Sequence, residues 1–71
     1  MSMGPLYLHD MHLETGDKLI ADSSMFFMGI KKGKIYTVET KDVGSTSPVY
    51  GLINDDGQWV IPPIRFERIK N

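Results

Sequence analysis

The chain has no cysteine, one tryptophan, two histidines, almost no net charge and no long apolar run, and each shortage removes a class of function. Without cysteine there is no disulfide framework, no thiolate nucleophile and no cysteine-based zinc site. A fold that does without disulfides suits a reducing compartment, so the expected location is the cytoplasm. The longest apolar stretch, Met25-Phe26-Phe27-Met28-Gly29-Ile30, is far too short to span a bilayer. The N-terminus carries no basic segment followed by an apolar one, so neither a signal peptide nor a membrane partner is expected. A formal net charge of −1 provides no overall attraction for nucleic acid.

What is present reads as one small folded domain. The 71 residues are 41% hydrophobic and 24% charged, well away from disordered compositions. A chain this short hides roughly 60% of its unfolded surface, which leaves a thin stability margin. Turn residues recur at short intervals: Gly16-Asp17, Asp22-Ser23-Ser24, Lys32-Gly33, Gly44-Ser45-Thr46-Ser47-Pro48 and Asp55-Asp56-Gly57. No window shows a 3.6-residue apolar stripe, and the stretches between turns are short or alternating. The fold class expected is all-β.

Leu6 to Leu13 alternates loosely and predicts an added N-terminal strand, forming a hairpin with Lys18-Leu19-Ile20-Ala21 across Glu14-Thr15-Gly16-Asp17. Ile35 to Thr40 is the clearest strand, rich in β-branched and aromatic residues. Tyr36 and Val38 should share one face, with Ile35, Thr37 and Glu39 on the other. Val49 to Ile53 follows, its phase left open by the adjacent Leu52 and Ile53. Asn54-Asp55-Asp56-Gly57 predicts a tight turn, and Gln58 to Ile61 returns from it. Pro62-Pro63 must end ladder pairing, because neither proline donates a hydrogen bond. Ile64 and Arg65 are expected in a 3₁₀ turn, and Phe66 to Ile69 in a last edge strand.

Three segments then line up in order: Gly33-Lys34-Ile35-Tyr36-Thr37-Val38, of the form G-K-x-Y-x-V; Asn54-Asp55-Asp56-Gly57; and Trp59 leading to Pro62-Pro63-Ile64-Arg65-Phe66-Glu67, of the form P-x-x-R-F-E. In this order the chain resembles a family of small SH3-like barrel proteins encoded by tailed phages and bacterial genomes. The resemblance spans about residues 18–70 and implies a five-stranded barrel with a 3₁₀ turn before the last strand. It implies no established function. Residues 1–17 fall outside it and form an N-terminal extension, with the barrel over 18–71. The tail also looks like that of peptide-binding SH3 domains, but the acidic loop and paired tryptophan of that group are missing.

Catalysis lacks parts. His9 and His12 form H-D-M-H beside Asp10 and Glu14, but on an extended segment the two rings point apart and no third ligand is at hand. Counted from Asp55, position 12 of a calcium loop is Phe66 where a bidentate Glu is needed. Serines 23, 24, 45 and 47 lie in loops without an oriented histidine, and Asp55 and Asp56 are adjacent in a solvated turn. No enzyme, metal or cofactor is expected.

Two surfaces remain. Met25-Phe26-Phe27-Met28 cannot all face inward from one short segment: either they pack across the barrel's open end and plug its core, or some stand exposed as a partner surface, where Met and Phe are favoured. Together with Tyr50 and Trp59 as neighbours, these are the candidate partner-binding residues. Lys31, Lys32 and Lys34 form a basic turn that, with Trp59, offers the alternative of single-stranded nucleic-acid binding. A third alternative is a homo-oligomer that adds residues 6–13 to a neighbour's sheet edge. The leading expectation is a non-catalytic protein, phage- or prophage-encoded, that binds or inhibits a host protein in the bacterial cytoplasm.

Overall fold

The computed structural model describes residues 4–42 and 48–69. Within them the fold is all-β, with six short strands and two 3₁₀ turns in place of any α-helix. The strands are β1 (Leu6–Tyr7), β2 (Lys18–Ala21), β3 (Ile35–Lys41), β4 (Val49–Ile53), β5 (Trp59–Val60) and β6 (Arg65–Arg68). The Gly44–Ser47 part of the expected loop, with Ser45 and Ser47, lies outside the described residues.

All pairings are antiparallel, in one sheet of order β1-β6-β2-β3-β4-β5. β2, β3, β4 and β5 make a meander, and the chain then returns to lay β6 beside β2. β3 joins two halves of the sheet. Its Ile35–Thr37 end pairs with β2, and its Val38–Lys41 end pairs with β4. The sheet is open, with β1 at one end and β5 at the other.

The alternation expected for β3 holds. Tyr36 and Val38 are buried and Ile35 and Glu39 exposed, as a strand with one covered face requires. The phase of β4 is settled with Leu52 inward at 0% exposure and Ile53 half-buried on the other face. The Asn54–Gly57 turn forms, with Gly57 at φ +79° between β4 and β5. β5 ends at Val60, before the prolines, and Pro62 is itself buried. The core is Leu8, Leu13, Leu19, Ala21, Ile30, Tyr36, Val38, Leu52 and Phe66. Each large apolar side chain fully buried there contributes about 1.5–3 kcal/mol.

Four local expectations are corrected. Residues 6–13 do not run as one strand: β1 stops at Tyr7, and Leu8–Asp10 coil into a 3₁₀ turn that drives Leu8 into the core. Nor do they form a hairpin with β2, because β1 pairs with β6. The intervening turn is committed elsewhere: Glu14 N–H donates to Asp17 Oδ2, Gly16 N–H to Val38 O and Val38 N–H to Asp17 O. β6 is not an edge strand, since it lies between β1 and β2. Pro63 and Ile64 make a bend and not a 3₁₀ turn, because Arg65 is already in the ladder opposite Tyr7, its carbonyl accepting from Asp22 N–H.

Candidate interaction site

The Met25–Ile30 segment is a small closed loop between β2 and β3. Met25 and Ile30 face each other and exchange both backbone hydrogen bonds, Met25 N–H to Ile30 O at 2.8 Å and Ile30 N–H to Met25 O at 3.1 Å. Inside this neck, Phe26–Met28 form a 3₁₀ turn, ended by Gly29 in the left-handed region at φ +70°. A 3₁₀ turn repeats every three residues, so Met25 and Met28 lie on one side. That side packs on the core beside Ile30, which is fully buried. Phe26 and Phe27 are left on the outside, 76% and 85% exposed. The run of apolar residues thus divides by position into anchors and tip.

The loop rests on its surroundings through polar contacts. Asn54, at the end of β4, donates from Nδ2 to Met28 O at 2.9 Å, and Asp55 N–H donates to Gly29 O at 2.9 Å. Beyond the neck, Lys31 N–H donates to the buried Tyr36 hydroxyl at 2.8 Å, which donates on to Asp55 Oδ2 at 3.2 Å. Lys34 Nζ is hydrogen-bonded to the other Asp55 oxygen. The Lys34 bond holds the Asp55 carboxyl below its ordinary value. The same bond raises Lys34, and burial raises the Tyr36 hydroxyl. Of the three lysines expected to form a basic patch, Lys34 is therefore spent on Asp55, while Lys31 and Lys32 are exposed. Ser24 caps the turn by accepting from Lys32 N–H.

Tyr50 stands on β4 and Trp59 on β5. The Trp59 ring lies over Gly51, where an added Cβ would come within 2.6 Å of it, and its indole N–H donates to Glu39 O. The ammonium of Lys41 sits 4.8 Å from the ring centre. Tyr50, one residue from Gly51, therefore points to the opposite face. There it lines a mostly apolar groove of about 840 Å³ with Tyr7, Leu8, Met11, Ile61 and Pro63.

His9 stacks on Tyr7 with its Nε2 3.5 Å from Asp10, both side chains exposed. His12 follows the 3₁₀ turn, and its backbone carbonyl accepts from Arg68. Among the described residues no three His, Asp or Glu side chains converge as a metal site would need. No helix among them is long and apolar enough to cross a membrane. Asn54 and Tyr36 are the residues whose importance the sequence hid: one read as a turn former, the other only as sharing a strand face with Val38.

The fold and loop together define a class, an all-β sheet protein that presents two adjacent phenylalanines on an anchored loop. A scan against protein-family models, a search of curated proteins and a search of solved structures each return no match to this chain.

Proposed function

We propose that this chain is a small non-catalytic binding protein that engages another protein through Phe26 and Phe27. The observation that carries the reading is the exposure of those two rings, 76% and 85%, on a loop whose other large residues are packed against the core. Adjacent aromatic rings held clear of the surface cost solubility, and they match the buried aromatic anchors that dominate protein interfaces. The finer fold reading is an SH3-like one. Its support is the strand order, a four-stranded meander with the last strand returning beside the first, together with the three sequence segments that resemble the phage and bacterial proteins. That resemblance also favours a phage or prophage origin and a host protein in the bacterial cytoplasm as partner, bound or inhibited.

The alternatives have weaker support. For nucleic acid, Lys34 is paired with Asp55, and the Lys41 ammonium lies over the Trp59 ring. For strand exchange between copies, β1 is paired with β6 of its own chain. The test is affinity capture from bacterial lysate, with and without nuclease, using wild type and the folded double variant Phe26→Ser/Phe27→Ser. One stoichiometric protein, resistant to nuclease and lost with the variant, supports the reading. Capture that disappears with nuclease transfers the function to nucleic acid, and capture that ignores the two phenylalanines removes the loop from it.

A further inference from the structure

We propose that Asn54 is the positioning residue of the Phe26–Phe27 loop, holding it in one exposed conformation from the neighbouring hairpin turn. This deepens the binding role given to the loop above and rests on it for its consequence; the clamp itself belongs to the free chain.

Asn54 is the buried polar residue of the described core region, 7% exposed. Its Oδ1 accepts from Asp56 N–H at 2.9 Å and from Gln58 N–H at 2.8 Å, while Nδ2 donates to Met28 O at 2.9 Å. Turning the amide over would set its NH₂ against two N–H donors, so the network itself dictates the orientation. Two of the three bonds serve the β4–β5 turn. The third serves nothing in that turn; it crosses to a carbonyl in the phenylalanine loop. Asp55 N–H makes a second crossing to Gly29 O.

Gly29 shows how closely the two segments fit. A Cβ there would stand 2.8 Å from Asn54 Nδ2 and 3.0 Å from its Cγ. The left-handed backbone at Gly29 and the bare Cα together let the amide reach Met28 O. Without these crossings the loop keeps its own neck, the buried Ile30 at its end and the packing of two methionines, which are adaptable side chains. A loop ordered before it meets its partner loses less conformational freedom on binding, and that gain appears as affinity.

The experiment is amide hydrogen exchange and ¹⁵N relaxation on the free protein, wild type against Asn54→Asp. The replacement has the same shape and keeps oxygens for the Asp56 and Gln58 N–H groups, but its carboxylate has no proton for Met28 O. Exchange at Gly29, Ile30 and Asp55 should speed up about ten- to a hundredfold, as expected for a lost buried hydrogen bond. Order at Phe26 and Phe27 should fall while the amides of Leu19 and Leu52 keep their protection. A loop as rigid as in wild type overturns the proposal, and so does loosening shared evenly with the core strands. Should the variant fail to fold, wild type decides. A common opening rate for the Asp55, Gly29 and Ile30 amides supports the clamp, and independent opening of Asp55 overturns it. None of these rates depends on a partner, so a failed capture experiment and a failed clamp remain separate results.

Discussion

The three phenylalanines of this chain divide between two regions with opposite outcomes. Phe66, on β6 between β1 and β2, is 0% exposed, whereas Phe26 and Phe27 are mostly in solvent. Hydrophobicity is the same in both places, so it does not decide. Backbone period does. On β6 the neighbours of Phe66 are Arg65 and Glu67, which the pleat sends to the other face. In the 3₁₀ turn the residues three apart, Met25 and Met28, take the inward side, and nothing inward is left for the two between them.

The largest test of that contrast is Phe66→Ala. Emptying a fully buried site of this size costs about 3–5 kcal/mol. A domain of this length has a total stability of roughly 4–10 kcal/mol, so the variant should be largely unfolded in mild urea. A urea melt displaced by less than about 1 kcal/mol would remove Phe66 from the centre of the core.

The next effect is at the loop's base. Gly29→Ala combines left-handed strain of about 1–2 kcal/mol with overpacking against Asn54, about 1–3 kcal/mol more. Gly33→Ala is the control, because Gly33 has φ +82° but nothing within 4 Å of the added Cβ. Thermal melts should rank Gly29→Ala well below Gly33→Ala. Equal losses would mean that strain alone matters and that the contact with Asn54 is slack.

How much of this was legible in the sequence follows the range of each interaction. The β3 alternation, the limits of β4 and the Asn54–Gly57 turn rest on neighbouring residues and could be read directly. That Met25–Met28 could not all face inward was also legible, since four bulky residues in a row exceed what one short segment can bury. Which ones was not, because the choice needs the 3₁₀ turn. The pairing of β1 with β6 joins Leu6 to Phe66 across nearly the whole chain, and the Leu6–Leu13 pattern holds no trace of it. The pairing of Lys34 with Asp55 joins residues 21 apart and waits on the fold, and Asn54 carried the signature of a turn but not of the loop it reaches.

A smaller effect lies in the polar cluster beside the loop. The Asp55 carboxyl is lowered by its bond from Lys34, so folding favours the ionised form. Its contribution is present above the ordinary carboxylate value and is lost as pH falls through the depressed one. Lys34 and Tyr36 are both raised, so theirs are complete below their ordinary values and are lost as pH rises through the raised ones. Stability from the trio is therefore flat through neutral pH. Melts of wild type and Asp55→Asn should differ at neutral pH and converge in acid, as pH falls through the lowered carboxyl value. A constant difference throughout that fall would mean that the charge on Asp55 contributes nothing to folding.

The smallest expected effect on stability is the most informative about function. Phe26→Ser/Phe27→Ser removes two large rings that touch little, so the melt should move by no more than about 0.5 kcal/mol per site. The same change at Phe66 would be ruinous, and that asymmetry is the physical content of calling one region core and the other a contact surface. A loss above about 2 kcal/mol for the pair would return the loop to the core and leave the binding role without its surface. An unchanged melt with higher solubility than wild type at high concentration would show two rings kept exposed at a cost to the isolated chain, which makes sense for a surface completed by a partner.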